Sequence, residues 1–389
     1  MTNFWQKPVY RYFIIAFLIM VSIALRIALF PYMNNDLSVA VIPWYQYLLD
    51  HGGLTGIQGL VYGSSYFHPY SYSPVYLYSL LAASPLTRYY SLSVVIKIVS
   101  ILFDYVSAFF ALRLISLKYP NGWQRWIGFF FVLFAPTVFI NSAYWGQCDG
   151  IYGAFLMGAL YYLLADKKPL SLGVFFSAVL IKIQALVLAP VYAALMIKRQ
   201  MDWRWIFICP LIYILWMAPA FMAGYPLNGT LLTLTGETNA FNQLTMNAPN
   251  IFAFFPHAPY EVFSLFGLAL SAIVCFMLIW RAAWYQDSMS NEQIILLAVL
   301  VSIAMPYFLP RMHERYFYAA ALISLLLPFY LPKLRLVPLA LQVTSLLSYT
   351  FFLRGYEVAP LSLPAAINGI VLIYLGFSFI ASVDRKPAI

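Results

Sequence analysis

Long apolar runs recur along the whole chain and constrain its fold more than any other feature. Most of the runs extend over about 17 to 25 residues, the length that an α-helix needs to cross the hydrocarbon core of a bilayer. With 63% hydrophobic residues, the chain is more apolar than a soluble globular domain, in which about 45 to 50% is usual. We therefore predict an all-α polytopic membrane protein, folded as a single integral-membrane domain over residues 1–389.

The runs predict about twelve transmembrane helices. The first run is longer than a typical signal-peptide core and lacks a small-residue cleavage site, so we expect a retained signal anchor. Lys182 and Gln184 mark a turning point between two short runs. The predicted helices cover residues 11–30, 92–116, 125–141, 149–165, 169–182, 184–198, 204–223, 260–281, 292–309, 316–332, 335–353 and 361–381.

The distribution of lysine and arginine predicts the orientation. With the N-terminus in the cytoplasm, fifteen of these residues lie on the cytoplasmic side and four on the external side, namely Arg88, Arg311, Arg315 and Arg354. This bias follows the positive-inside rule, so we expect a plasma (inner) membrane protein with both termini in the cytoplasm. The formal charge of +9 has the same explanation, since no basic helix or tract indicates nucleic-acid binding.

Two predicted external segments, 31–91 and 224–259, are long, whereas the cytoplasmic connections are short. The first contains an amphipathic stretch, Val39–Leu49, and ends in the aromatic run Tyr62–Tyr78, so we expect interfacial helices in it. The second is polar but nearly uncharged, which suits either sugar binding or a simple hydrated loop. We expect the active site on this external face.

Asp36 lies a few residues beyond the predicted external end of the first helix, with Arg26 below it in that helix. A carboxylate beside the membrane, partly buried and close to a cation, could serve as a general base. An aspartate just past a helix end is also a common turn residue. Both roles are open from this position alone.

A short glycine-containing turn, Tyr144 to Gly150, is predicted between two helices on the external side. Trp145 suits the membrane interface, and Gln147 with Asp149 offers hydrogen bonds to a hydroxylated ligand. Asp149 also suits the cap at the start of the following helix, and the two uses are compatible.

Ionisable side chains within apolar runs need partners. Lys182 has about a dozen apolar residues on each side, so we expect its ammonium to meet either a ligand phosphate or an intramembrane acid such as Asp104. Lys97 precedes Asp104 by seven residues and shares a helix face with it. Structural pairing of these two with each other or with neighbours is expected.

The densest group of charges is the segment 310–318, Pro-Arg-Met-His-Glu-Arg-Tyr-Phe-Tyr, at the predicted external mouth of two helices. The guanidinium groups of Arg311 and Arg315 match phosphate oxygens, and His313 can add a donor or a proton. Glu314 could instead form an interfacial ion-pair cluster with the arginines. Three groups that can be cationic face one acid, which favours a net positive anion site.

In their order and topological placement, these residues resemble the GT-C superfamily of integral-membrane glycosyltransferases, and within it the bacterial proteins related to GPI mannosyltransferases. The resemblance extends over most of the chain. Its most specific pieces are Trp-Gly-Gln-x-Asp and His-Glu-Arg-Tyr-Phe, whereas Asp36 is identified by position. The matching segments are Asp36, Tyr72–Tyr78, Trp145–Gly150, Lys182–Gln184 and Arg311–Phe317.

The resemblance implies a polyprenyl-phosphate monosaccharide donor, whose hexose, mannose by family resemblance, passes with inversion to a hydroxyl of a lipid, glycan or protein acceptor on the external face. Asp36 would match the catalytic base. The first loop has no Asp-x-Asp or Glu-x-Asp pair, so neither a metal nor another cofactor is expected. The donor phosphate would be held by Arg311, Arg315, His313 and Lys182, and the sugar or acceptor by Trp145, Gln147, Asp149 and Glu314.

Two other functions are open. A transporter or flippase of lipid-linked sugars would also place charges around an intramembrane path, although many transporters carry internal repeats and none is convincing between the halves of this sequence. A non-catalytic subunit of an envelope-polysaccharide pathway is the other alternative. In such a subunit, substitution of Asp36 or Arg311 would have no effect except through a partner protein.

Overall fold

The computed structural model describes residues 8–61, 72–230, 242–284 and 287–384. Within these ranges the chain is almost entirely helical, and its strands are β1 (Thr245–Met246) and β2 (Met312–His313), which pair in parallel. The α-helices are α1 (Pro8–Ala28), α2 (Ile42–Asp50), α3 (Ile57–Val61), α4 (Pro74–Ala82), α5 (Leu92–Lys118), α6 (Gln124–Phe134), α7 (Pro136–Phe139), α8 (Asp149–Leu164), α9 (Lys168–Ile181), α10 (Ala189–Ile197), α11 (Ile208–Met222), α12 (Tyr260–Trp284), α13 (Asn291–Phe308), α14 (Tyr318–Ile323), α15 (Leu327–Tyr330), α16 (Val337–Arg354) and α17 (Ser362–Asp384).

The described part of the chain has seven helices long and apolar enough to cross a membrane: Arg11–Ala28, Leu92–Lys118, Trp203–Met222, Tyr260–Trp284, Asn291–Phe308, Pro332–Arg354 and Ser362–Asp384. The pair Gln124–Phe134 and Pro136–Trp145 is bent by 45° and makes an eighth if it is counted as one span. The predicted all-α, membrane-embedded class is therefore confirmed. The predicted number of twelve spans is not confirmed.

The difference in span number comes from helices that are short or divided. At ~1.5 Å per residue, the 16 residues of α8 extend about 24 Å, less than the ~30 Å of a typical hydrocarbon core. The predicted helix at 316–332 is divided into α14 and α15 by a 3-10 turn, Ser324–Leu326. Pro328 follows this turn and cannot donate a backbone hydrogen bond to the residue four positions before it. A hydropathy average does not register such a break.

Burial distinguishes central helices from peripheral ones. In α13, 78% of the residues are buried, whereas 11% are buried in the most apolar 18 residues of α1 and of α12. Nearly every residue of α8 is also buried. The peripheral helices expose apolar side chains, as a lipid-facing surface requires. Polar groups carried by the central helices and the segments joined to them are enclosed by protein.

The segment 31–91 contains helices α2, α3 and α4 in its described part, so helices are present in this loop as predicted. The amphipathic stretch Val39–Leu49 is divided between a π-helical turn, Asp36–Val41, and α2. Most of the aromatic run Tyr62–Tyr78 and residues 231–241 of the second loop lie outside the described residues.

Candidate functional site

Asp36 begins the π-helical turn that follows α1, and the chain around it is fixed by side-chain hydrogen bonds. Asn34 accepts a hydrogen bond from the Leu37 amide at 3.1 Å through Oδ1, and donates one to the Trp145 carbonyl at 2.8 Å through Nδ2. Lys97 binds the preceding turn, because its Nζ donates to the carbonyls of Leu29, Phe30 and Tyr32 at 3.1, 3.0 and 2.5 Å. These carbonyls belong to the turn that follows α1, so the Lys97 ammonium fixes the chain shortly before Asp36.

Three donors converge on one oxygen of the Asp36 carboxylate. Oδ2 accepts hydrogen bonds from Gln147 Nε2 at 2.6 Å and from Trp145 Nε1 at 3.1 Å, and it lies 3.2 Å from Arg315 Nη1. Among the described residues no donor reaches Oδ1. The side chain is 28% exposed, so a carboxylate that is fixed through Oδ2 is still partly accessible.

The predicted turn between Tyr144 and Gly150 brings two of these donors to Asp36. The π-helical segment Ile140–Trp145 ends at Gly146, whose φ of +74° is a left-handed conformation that favours glycine. The Trp145 ring is buried against Tyr349 and Phe352, with centroids at 5.2 and 5.0 Å. Tyr72 donates to Gln147 Oε1 at 3.2 Å, which turns the amide nitrogen of Gln147 towards Asp36.

Lys182 and Asp149 form a buried ion pair beside this group. Lys182 Nζ lies 2.5 Å from Asp149 Oδ1, and Asn141 donates to Asp149 Oδ2 at 3.0 Å. Helix α9 ends at Ile181 and Lys182 has extended backbone angles, so the helix break predicted at this residue is present. The partner is a carboxylate, as one prediction allowed. It is Asp149 rather than Asp104, because α8 begins beside the break.

Asp104 is instead part of a separate ion pair deeper in the protein. Arg26 Nε donates to Asp104 Oδ2 at 2.9 Å, and Ser142 Oγ donates to the same oxygen at 2.5 Å. Of the two arrangements expected for Lys97 and Asp104, pairing with neighbours is the one present, and the two residues do not pair with each other. Arg26 is likewise engaged with Asp104 rather than placed as the cation beside Asp36.

Arg315 links the carboxylates of the site. Its Nη1 lies 2.9 Å from Glu314 Oε1 and 3.2 Å from Asp36 Oδ2, and its Nε lies 3.8 Å from Asp149 Oδ2. Counting only side chains that the structure describes, two cations, Lys182 and Arg315, meet three carboxylates here. The prediction of a net positive group around Glu314 counted one acid only, because the sequence did not show that Asp36 and Asp149 join it.

His313 and Glu314 respond differently to burial. Burial and the nearby Arg315 charge both lower the pKa of His313 below its ordinary value. Burial alone would raise the pKa of Glu314, but His313 and Arg315 outweigh it and lower that pKa. At neutral pH, His313 is therefore a neutral imidazole beside a carboxylate.

Arg311 lies apart from Arg315, although both belong to the segment 310–318. Its backbone amide donates to the Leu244 carbonyl at 3.0 Å beside the β1–β2 pair, and its φ is +60°, which is unusual for a residue other than glycine. The guanidinium donates to the Tyr260 hydroxyl and lies 5.5 Å from the centroid of the Tyr260 ring. The extended strand β2 lies between the two arginines in the chain, so their side chains reach different parts of the protein.

A cavity of about 450 Å³ lies beside Arg311. It is enclosed by α12, α13, the start of the 3-10 turn that follows Lys182, and the segment 310–316. Tyr316 lies between the cavity and the buried ion pair, since Lys182 Nζ is 5.6 Å from the centroid of the Tyr316 ring. The lining residues are Ile183, Gln184, Leu186, Val187, Tyr260, Ser264, Leu268, Met305, Pro306, Leu309, Pro310, Arg311, Met312 and Tyr316.

The structure thus brings together most of the residues singled out from the sequence: Asp36, Trp145, Gln147, Asp149, Lys182, Glu314 and Arg315 contact one another directly or through one intermediate. His313 lies at the edge of this group, and Arg311 at the cavity. Sequence reasoning missed Asn34, Asn141 and Tyr349. Asn141 had a usable signal, because an amide followed by a serine interrupts an apolar run. Nothing in the sequence distinguished Tyr349 from the other tyrosines.

Within the residues that the structure describes, no group of three or more His, Cys, Asp or Glu side chains could hold a metal ion. Metal-independent chemistry remains a prediction. No protein-family model matches the chain, and a comparison with curated proteins finds no match. The resemblance to GT-C glycosyltransferases therefore rests on the motifs alone.

Proposed function

We propose that this protein is a membrane glycosyltransferase that moves one hexose from a polyprenyl-phosphate donor to an acceptor hydroxyl. The observation that supports this most is the Asp36 carboxylate, whose Oδ2 is held by three donors while the side chain remains 28% exposed. A general base needs both a fixed orientation and an oxygen within reach of the substrate.

The proposed reaction is a single in-line displacement. Asp36 Oδ1 takes the proton of the acceptor hydroxyl while the acceptor oxygen bonds to the anomeric carbon. The bond between that carbon and the phosphate oxygen breaks, and its electron pair stays on the phosphate. One displacement inverts the anomeric centre. The products are the glycosylated acceptor and polyprenyl phosphate.

The cavity beside Arg311 suits the lipid end of such a donor. Its lining is mainly aliphatic and aromatic, as isoprenoid units require, and the Arg311 guanidinium at its wall matches phosphate oxygens in a bidentate manner. We assign Lys182 and Arg315 a different main role from the one expected. Their charges are engaged by Asp149, Glu314 and Asp36, so they fix the base and the turn before α8. Phosphate binding falls chiefly to Arg311.

We place this reaction on the external face of the plasma membrane, with both termini in the cytoplasm. The support is the unequal distribution of lysine and arginine. Trp145 and Gln147 hold Asp36 from the turn before α8 and are themselves buried. We therefore assign them to orienting the base and not to direct sugar or acceptor contact. Mannose is the sugar that we test first, because of the family resemblance.

The test is incubation of the purified protein with a panel of polyprenyl-phosphate hexoses and membrane lipid extract, followed by mass spectrometry. We expect loss of one lipid-linked hexose and a matching gain of about 162 Da, the mass of one hexose residue, in one acceptor. No transfer from any donor would contradict the proposal. Counterflow of labelled lipid-linked sugar into proteoliposomes without covalent transfer would favour a flippase instead.

A further inference from the structure

Lys97 is a fully buried cation that pairs with no carboxylate in the described part of the chain. Its ammonium donates to three backbone carbonyls, those of Leu29, Phe30 and Tyr32, at 3.1, 3.0 and 2.5 Å. An ammonium has three hydrogens to donate, so all of them are engaged. Burial of a charge is costly without compensation. Here the partial negative charges of carbonyls just beyond the end of a helix provide it.

The three carbonyl oxygens of Leu29, Phe30 and Tyr32, which we call the carbonyl site, come from one short turn. This turn is wound against the end of α1, because the Phe30 amide donates to the Ile27 carbonyl at 3.0 Å. The Tyr32 amide donates to the Leu29 carbonyl at 3.4 Å. A cation at the carbonyl site therefore holds a single local segment closed, and a cation that donates hydrogen bonds satisfies all three oxygens at once.

The aliphatic stem of Lys97 packs beside the other segment that meets at Asp36. Gly146 lies between Trp145 and Gln147, the two residues that donate to Asp36 Oδ2. A methyl group on the Cα of Gly146 would lie 3.5 Å from Lys97 Cγ. One side chain thus contacts the turn before the carboxylate through its ammonium and approaches the turn that supplies the donors through its stem.

We propose that the carbonyl site binds a primary ammonium ion, which Lys97 supplies from its own side chain, and that Lys97 thereby acts as a positioning residue for Asp36. The positioning role rests on the proposed function, whereas the ammonium site does not. The bound ammonium fixes the turn after α1, and the stem sets how closely this turn approaches Gly146. Asp36 Oδ2 consequently meets its donors only while the carbonyl site is occupied.

Chemical rescue at neutral pH tests the proposal. Lys97→Ala removes three methylenes and the ammonium, which is the composition of propylammonium, and leaves space for that ion beside the carbonyl site. We expect kcat for sugar transfer to fall by about 10² with the donor KM unchanged, as for a catalytic group displaced by about 1 Å. Propylammonium should raise kcat of this variant by about tenfold or more, as one regained charge-assisted hydrogen bond would.

Two compounds and one variant are the matched controls. Tetramethylammonium has the charge but no hydrogen to donate, and 1-propanol has the size of propylammonium but no charge, so neither should rescue Lys97→Ala. Lys97→Met fills the space of the lysine stem and cannot donate to the carbonyls. We expect the same loss of kcat in Lys97→Met and no rescue by propylammonium.

Hydrogen exchange of the amides in residues 29–41, followed by mass spectrometry, provides a measurement that needs no catalysis. The Leu37 amide, which donates to Asn34 Oδ1, reports on the chain next to Asp36. Exchange should be about tenfold faster in Lys97→Ala and should slow again with propylammonium alone. If Lys97→Ala aggregates, the three compounds are added during solubilisation, and we expect monodisperse protein with propylammonium alone.

Rescue by all three compounds, by none of them, or to the same extent in Lys97→Met would overturn the ammonium site. A wild-type kcat in Lys97→Ala despite faster exchange would overturn the positioning role and leave the ammonium site. If the wild-type protein transfers no sugar, but propylammonium alone slows exchange in Lys97→Ala, the proposed function fails together with the positioning role, and the ammonium site stands.

Discussion

Arg315 Nη1 lies 3.2 Å from Asp36 Oδ2, so two residues near opposite ends of the chain meet in one ion pair. The same guanidinium contacts Glu314, its neighbour in sequence, at 2.9 Å. The position of Asp36 therefore depends on the packing of the segment 310–318 against the loop after α1. Arg315, which we predicted from the sequence to hold phosphate, instead contacts and orients the proposed base, Asp36.

Arg315→Lys tests this positioning. The charge is kept, but one ammonium cannot reproduce the planar fork that reaches Asp36 and Glu314 together. We expect turnover to fall by about 10², which is typical of a catalytic group displaced by about 1 Å, with little change in the KM of the donor. Steady-state kinetics in nanodiscs measure both. Arg88→Lys, at an exposed arginine, is the control, and a wild-type rate for Arg315→Lys would show that Asp36 is oriented without it.

The Lys182–Asp149 pair is tested by a double-mutant cycle. Either Lys182→Met or Asp149→Asn leaves a buried partner uncompensated, and we expect each to lower the free energy of unfolding by about 3 to 5 kcal/mol. The double variant should lose less than the sum of the two, because no isolated charge remains between these positions. Unfolding of the purified protein in detergent provides the measurement. Additive losses would mean that the two side chains stabilise the fold independently.

The need of Lys182 for a partner followed from its burial in apolar sequence, but the identity of that partner did not. Asp104 and Asp149 are both acids close to apolar runs, and only the packing of α8 against the end of α9 decides between them. The membrane class could likewise be predicted from the sequence, because it depends on composition. The number of spans could not be predicted in the same way, because α8, α9 and the divided helix at 318–330 are apolar but too short to cross a membrane.

Arg311 and Arg315 show a second limit. Both belong to the short charged segment at the predicted external mouth of two helices, and we therefore predicted one phosphate site for the two. The strand β2 and the 3-10 turn Glu314–Phe317 lie between them instead. One arginine consequently reaches the Tyr260 side of the cavity, and the other reaches Asp36.

Arg311→Gln tests the donor-phosphate assignment. The substitution removes the guanidinium charge at the cavity wall, and we expect the KM of the lipid-linked donor to rise by about tenfold or more, as for the loss of one charge-assisted hydrogen bond worth about 1.5 to 3 kcal/mol. The KM of the acceptor should be unchanged. Direct binding of a fluorescent polyprenyl phosphate checks this without turnover. Normal donor affinity and rate would show that Arg311 is structural.

His313 predicts a dependence of stability on pH. Its pKa is lowered in the folded protein by burial and by Arg315, whereas the unfolded chain has the ordinary value of about 6.5. As the pH falls below about 6.5, the unfolded state binds the proton first, so the free energy of unfolding decreases. His313→Gln should reduce the drop in Tm between about pH 7.5 and about pH 5.5.

The control for this measurement is His257→Gln, since His257 is exposed. That variant should keep the wild-type drop in Tm over the same range. An unchanged drop in His313→Gln would assign the acid sensitivity to other groups, including Glu314, whose own pKa is lowered in the fold.

Asp36 as general base is the central claim, and one measurement tests it most directly: the rate of sugar transfer by purified Asp36→Asn, compared with wild type and with Asp50→Asn. Asp50 is an exposed acid at the end of α2 in the same loop. We predict a loss of about 10² to 10⁴ in kcat for Asp36→Asn, with donor binding retained, and a normal rate for Asp50→Asn. A wild-type rate in Asp36→Asn would contradict the claim.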